Sequence, residues 1–255
     1  MYTKNDYIAV FDSGVGGISV LRELVRLMPG ENFLYFGDSA NAPYGGKSTE
    51  AVRSLTLQHA RRLFAQNAKA LVVACNTATA AAIEDLRAEF PDKIIIGIEP
   101  ALKPAADRFP TGCIGIMATA VTLREEKLTH LSEQFPNAEV VRIAAPGLVE
   151  LIESGKADSA ETAALLEKIL APYRDKLDAL VLGCTHYPFV KDAIARILGS
   201  TALFDGSEGT ARHTRKCLLE KGLLAEGEGS VTVENSLGTA EIMQLCYRLL
   251  EMGEG

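Results

Sequence analysis

No stretch of the 255-residue chain reaches the roughly 18 to 20 consecutive apolar residues that a bilayer-crossing helix needs. The first residues, Met1 to Asp6, are short and polar, unlike a secretory signal. The expected location is therefore the cytoplasm, where thiols stay reduced. An excess of positive charge is also missing: 26 Lys and Arg against 33 Asp and Glu leave a formal net charge of −7. Nucleic-acid binding requires a basic face, so no nucleic-acid partner is expected. Local clusters such as Arg61-Arg62 and Arg212 to Lys216 read as solvated helix faces. Cysteine pairs are missing as well. The five cysteines are odd in number and none forms C-x-x-C, which indicates neither a disulfide framework nor a zinc ribbon.

What the chain does have is alternation. Short β-branched runs at 7–11, 32–36, 70–74, 94–98, 113–117, 139–143, 179–182, 202–204 and 230–234 are separated by helix-length stretches. The amphipathic ones include 48–66, 77–90, 119–135, 159–173 and 238–252. This order predicts an α/β fold with parallel sheets covered on both faces. Pro100 and Pro104 punctuate the chain, as do Gly206 and Gly209, and so favour two smaller sheets over one of nine strands. Two strand ends also match: Leu71 to Thr77 and Leu180 to His186 are each an apolar run ending in cysteine beside a hydroxyl residue. That weak repeat suggests duplicated domains, each presenting one cysteine to a shared cleft.

Ligands of open parallel sheets bind beyond the carboxyl ends of the strands, and four motifs lie there. Phe11-Asp12-Ser13-Gly14-Val15-Gly16-Gly17 could bring backbone N–H groups to an anion. A dinucleotide fingerprint fails because Ser19 stands where its third glycine is required. In the second motif, Gly37 to Ser48, a P-loop fails because Asn41 replaces the necessary glycine; Ser48 is a candidate helix cap. The third and fourth are Ala74-Cys75-Asn76-Thr77 and Gly183-Cys184-Thr185-His186, each read as starting a helix whose N-terminus lowers the thiol pKa. His186 is placed to support Cys184 in acid–base work. A zinc site is not expected, since no spacing supplies a fourth ligand.

Together these segments resemble the signature segments of glutamate racemases, with Gly37-Asp38-Ser39-Ala40, Pro43-Tyr44-Gly45, Ile98-Glu99-Pro100-Ala101 and His186-Tyr187-Pro188 included. The resemblance implies two doubly wound parallel-sheet α/β domains with pseudo-twofold symmetry around an interdomain cleft. One would comprise residues 1–98 plus 206–255, the other 99–205. It implies Cys75 and Cys184 as the acid–base pair, Asp12 assisting Cys75 and His186 assisting Cys184. Asp12, Ser13, Tyr44, Gly45, Asn76, Thr77, Thr119, Thr185 and His186 would contact the amino acid. A further catalytic carboxylate lies in Pro146 to Gly155, where Glu153 fits the register better than Glu150. The implied activity is cofactor-independent interconversion of L- and D-glutamate, supplying D-glutamate for peptidoglycan, with no metal and with a homodimer as the expected assembly. Regulation through an N-terminal extension, which some members carry, is not expected. Two departures stand out: Ala118-Thr119 where Gly-Thr is frequent, and Ala144-Ala145-Pro146 where many members have a cysteine.

Racemisation needs a base on one face of the α-carbon and an acid on the other. Two thiols suit that exchange of roles, and their titrations would be coupled. No lysine is marked as the Schiff-base partner of a pyridoxal cofactor. Hydroxyl and N–H donors at Ser13, Asn76, Thr77 and Thr185 would have to stabilise the carbanion instead. A sibling racemase acting on aspartate or a hydantoin is the nearest alternative. A decarboxylase needs only one cysteine, and a non-catalytic amino-acid binding protein needs none. Cys113, Cys217 and Cys246 read as packing, and His59, His130 and His213 as structural.

Overall fold

Strands covered by helices on both sides must be apolar along their whole length, and every residue of β1 (Ile8–Asp12), β3 (Ala70–Val73) and β7 (Ala179–Leu182) is buried. The computed structural model describes residues 3–124 and 126–252. Nine strands occur among them, all paired in parallel. With β2 (Asn32–Gly37), β4 (Ile94–Gly97) and β9 (Ser230–Asn235), the first sheet has the order β4-β3-β1-β2-β9. With β5 (Cys113–Ala118), β6 (Glu139–Ala144) and β8 (Ala202–Asp205), the second has the order β6-β5-β7-β8. All nine expected strands are present, and the fold class is the two-sheet α/β architecture.

Topology fixes where a ligand can go. In the first sheet the chain runs from β1 outward to β2 and then returns to the other side of β1 as β3. In the second it runs from β5 to β6 and returns on the other side of β5 as β7. Each reversal opens a crevice at the carboxyl ends of the adjacent strands. Asp12 and Cys75 flank the first crevice; Thr119 and Cys184 flank the second. The two sheets share one hydrophobic core, in which Val10 and Val72 belong to the same buried cluster as Met117 and Leu182. Continuity of that core holds the two crevices in register.

The helices follow their local signals. Ser48 caps α2 (Thr49–Ala65) by accepting the Ala51 N–H at 3.3 Å. The helix after β3, α3 (Asn76–Glu89), has Cys75 itself as its N-cap. The expected 119–135 helix is observed as α5 (Ala120–Arg124) and α6 (Glu126–Glu133), with Glu125 outside the described residues. Further helices are α1 (Ile18–Leu27), α4 (Leu102–Arg108), α7 (Leu148–Glu153), which brings Val149 and Glu153 to the site, α8 (Ala160–Leu170) and α9 (Lys191–Leu198). Finally, α10 (Ser207–Glu220) and α11 (Ala240–Glu251) both pack on α1. Among the described residues no helix is long and apolar enough to cross a membrane.

Candidate active site

The two crevices meet in a narrow cavity lined by Ser13, Pro43, Tyr44, Gly45, Cys75, Asn76, Thr77, Thr119, Val149, Cys184, Thr185 and His186. Both thiols are buried, Cys75 at 5% and Cys184 at 7% exposure. The sequence-expected contact residues line this one space, whose wall alternates between segments of the two sheets, except Asp12, which is fully enclosed behind the wall.

The surroundings of Cys75 oppose ionisation. Its Sγ accepts the Ala78 N–H at 3.4 Å and lies 3.4 Å from Ser13 Oγ. Burial pushes the thiol up to about 12 and the charge of Asp12 adds to the effect, while Ser13 and Ala78 pull the other way. The expected lowering by the helix N-terminus does not prevail, because removing water costs a thiolate more than one capping contact returns. Nor does Asp12 bond to Cys75. Its carboxylate accepts the Gly14 N–H at 2.9 Å and the Thr185 hydroxyl at 3.0 Å. Burial raises Asp12 above the usual carboxylate range, against the pull of His186 and of these bonds.

Cys184 sits in different company. It does not start an α-helix: a 3₁₀ turn at Tyr187–Val190 intervenes before α9. What it has instead is a relay. His186 Nδ1 is 3.6 Å from Cys184 Sγ, and His186 Nε2 is 2.6 Å from Glu153 Oε1. Burial disfavours the imidazolium, yet the contacts and charges of Cys184 and Glu153 hold His186 well above its ordinary value. Burial likewise works to raise Glu153, but His186, the Val15 N–H and Ser39 keep it below the usual range. Glu153, at the end of α7, is thus the carboxylate that reaches the site. Glu150 lies instead at the outer mouth, beside Pro43 and Gly45.

The glycine loop after β1 does hold an anion, and the anion is the protein's own. Val15 N–H donates to Glu153 Oε1 at 2.7 Å. A Cβ on Gly14 would overlap that carboxylate, and one on Gly16 would overlap His186 and Thr185. These two positions are therefore glycine so that side chains from the second sheet can approach the loop.

Hydroxyls cluster on the opposite wall: Thr77 and Thr119 are 3.1 Å apart, and Thr119 and Thr122 3.1 Å. Thr119 keeps its place although Ala118 precedes it. Asn76 Oδ1 is buried with no hydrogen-bond partner among the described residues. Tyr44 is buried too, but its hydroxyl donates to Asp38 at 2.7 Å, so it faces the cavity through its ring.

Several participants were not singled out from sequence. His59, read only as structural, has Nε2 3.1 Å from the Asp38 carboxylate that also accepts from Tyr44. Ser39, Asp38 and Thr122 belong to the same assembly; for the first two the signal was their position directly after β2. Lys69, directly before β3, is a further residue without a sequence signal. It is buried and ion-paired with Glu31. Cys113 and Cys217 are half-buried and Cys246 is buried, with Cys217 3.8 Å from His213. No group of three or more His, Cys, Asp or Glu that could hold a metal ion occurs among the described residues.

The Asp/Glu/Hydantoin racemase family matches residues 11–214. The chain is 48% identical to a glutamate racemase of Clostridium acetobutylicum over 99% of this chain and 100% of that one. It is 46% identical to one of Clostridium kluyveri, covering 98% and 100%. Among solved structures, a glutamate racemase of Francisella tularensis in complex with D-glutamate superposes with a TM-score of 0.85 at 28% identity, covering 97% of this chain and 94% of that one. The isoform RacE1 of Bacillus anthracis gives a TM-score of 0.87 at 32% identity, with the same coverage. This chain belongs to the Asp/Glu/hydantoin racemase family.

Proposed function

We propose that this protein is a cofactor-independent racemase that interconverts L- and D-glutamate by two-base proton transfer between Cys75 and Cys184. One observation carries the mechanism: two buried cysteines, each just past the returning strand of its own sheet, line a single cavity. A base and an acid on opposite sides of one carbon are what inversion requires. The choice of glutamate is supported by relatives of that name at up to 48% identity over full length.

In one direction the Cys184 thiolate, paired with His186, takes the α-proton, and the Cys75 thiol delivers one to the opposite face. The reverse reaction starts with the roles exchanged. The hydroxyls of Ser13, Thr77 and Thr119 hold the carboxylates and stabilise the developing negative charge, while Thr185 spends its one hydrogen on Asp12. Asn76 Oδ1 is available to accept from the substrate ammonium group. The division into residues 1–98 with 206–255 and residues 99–205 makes the cleft interdomain, so closure expels water around the reacting carbon. The setting is the cytoplasm, with D-glutamate passing to peptidoglycan synthesis.

The test follows the circular dichroism of L-glutamate with purified protein, reductant and chelator. Decay to zero, lost separately in Cys75→Ala and Cys184→Ala, is the expected result. Decay with aspartate alone would overturn the substrate, and a flat trace with both would overturn the activity.

A further inference from the structure

Ser39 and Asn235 take no direct part in the cavity wall, yet both lie on a hydrogen-bonded line that ends at a catalytic thiol. Asn235, the last residue of β9, donates from Nδ2 to Ser39 Oγ at 2.9 Å. Ser39 Oγ donates to Glu153 Oε2 at 3.0 Å. Glu153 Oε1 meets His186 Nε2 at 2.6 Å, and His186 Nδ1 faces Cys184 Sγ at 3.6 Å. We propose that Ser39, oriented by Asn235, is a positioning residue that holds the Glu153 carboxylate and through it keeps His186 aligned on Cys184 for proton transfer.

The polarity of the line is forced by donor counting. Asn235 Oδ1 accepts the Leu237 N–H at 3.0 Å, which turns the amide so that Nδ2 faces Ser39. A serine hydroxyl has one hydrogen. With its oxygen already accepting from Asn235, that hydrogen points to Glu153. Oε2 is then engaged by Ser39 and Oε1 by the Val15 N–H and His186, so neither carboxylate oxygen is left to turn. An ionised, fixed Glu153 accepts from Nε2 and so keeps Nδ1 facing Cys184, where it holds the proton that leaves the sulfur, the arrangement by which a carboxylate orients a histidine beside a nucleophile.

The arrangement is built rather than incidental. Ser236 N–H donates to Gly37 O at 2.9 Å and Ser236 Oγ accepts the Ala40 N–H at 2.9 Å, fastening the β9 end to the segment that carries Ser39. Other titratable groups face the relay: Asp12 from β1, Tyr35 from β2 and Cys246 from α11 each interact with Glu153 through charge, and Tyr187 with Cys184. Ser39 differs from these in donating directly to the free oxygen of the carboxylate.

The inference rests on the two-thiol reading, but its test uses no substrate, so failure of glutamate turnover leaves it intact. Thiolates, not thiols, react with iodoacetamide. The rate of alkylation of Cys184 and of Cys75 is measured by peptide mass spectrometry against pH in the full chain, in Ser39→Ala, Ser39→Thr and Asn235→Leu. Cys75 serves as the internal reference for opening of the buried cavity. Near neutral pH, Cys184 alkylation is expected to fall by about tenfold in Ser39→Ala, the scale of one lost hydrogen bond to a charged group. Asn235→Leu lowers it less, Ser39→Thr restores it, and Cys75 is unchanged. Equal changes at both cysteines would mean loosening of the fold, and an unchanged Cys184 would mean no relay; either overturns the proposal. If Ser39→Ala does not fold, the ratio between Asn235→Leu and Ser39→Thr decides on the same criterion.

Discussion

Burial works against the charge on Asp12, whose side chain is fully enclosed and raised above the usual carboxylate range. A carboxyl with a folded pKa above its unfolded one favours folding fully only below the unfolded value, and that contribution is lost as pH rises through the folded one. Asp12→Asn keeps an acceptor for the Gly14 N–H without carrying charge. Its melting temperature should therefore exceed that of the parent by a margin that widens as pH rises above about 4, the ordinary carboxylate value, while racemase activity is lost. A constant margin over that rise would contradict the assignment. Glu153 has the opposite sign. Its pKa is held low, so its contribution exists above about pH 4.3 and fades as pH falls through the folded value. Glu153→Gln should slow turnover by about 10² to 10⁴, the usual range for lost acid–base support. Enantiomers have equal free energies, so kcat/KM must fall by the same factor from L- and from D-substrate; only kcat and KM separately can become asymmetric. Progress curves from both enantiomers check this.

At the scale of elements, the strand ends decide most of the design, and the glycine loop after β1 is the sharpest case. Gly14→Ala would insert a methyl group where the Glu153 carboxylate sits. Overpacking of that kind costs about 1–3 kcal/mol, and here it also expels Glu153 from Val15 and His186. Chemical denaturation together with turnover should report both losses, and retention of full activity would argue against the placement of Glu153. A second element-level test concerns the buried pair at the amino ends of β2 and β3, the edge of the sheet opposite the site. Lys69 Nζ contacts Glu31, the Lys4 carbonyl and the Leu223 carbonyl, while Glu31 Oε1 accepts the Ala225 N–H, tying the entry of β3 to the approach of β9. Lys69→Met should cost about 3–5 kcal/mol by stranding a buried carboxylate, and adding Glu31→Leu should recover much of it. Urea denaturation of the single and double variants measures the difference.

The strands and the four motifs were legible because each signal is local: a β-branched run, a glycine loop, a cysteine at a strand end. The roles of Glu153, Ser39 and His59 depend on pairs 114, 138 and 21 residues apart, which leave no periodic trace. Glu153 was reachable only through resemblance; Ser39 stood in a quoted motif without a role of its own, and Asn235, 196 residues away, in none. The inverted reading of Cys75 has the same origin. A helix N-terminus is visible in sequence, but burial and the nearby Asp12 charge, which outweigh it, are properties of the assembled fold.

For the whole molecule, the bonds that join the two sheets are the bonds that build the site. Thr185 donates to Asp12, Val15 and Ser39 hold Glu153, Ser19 Oγ lies 2.9 Å from the Thr185 carbonyl, and Thr77 meets Thr119. Assembly of the catalytic groups and approach of the sheets are therefore one event, and loosening one should loosen the other. The Val15 amide reports on it, since this buried N–H donates across the gap while the β1 amides belong to the first sheet alone. In Glu153→Ala, hydrogen exchange at Val15 should accelerate by about tenfold or more, the scale of one hydrogen bond to a charged acceptor, with Ala9 to Phe11 unaffected. Substrate bound to the parent protein should slow it, because a ligand held by residues of both sheets favours the closed arrangement. Equal exchange at Val15 in the parent and the variant would separate closure from site assembly. The Cys184 relay would then be preformed in the open protein, not completed when the sheets come together.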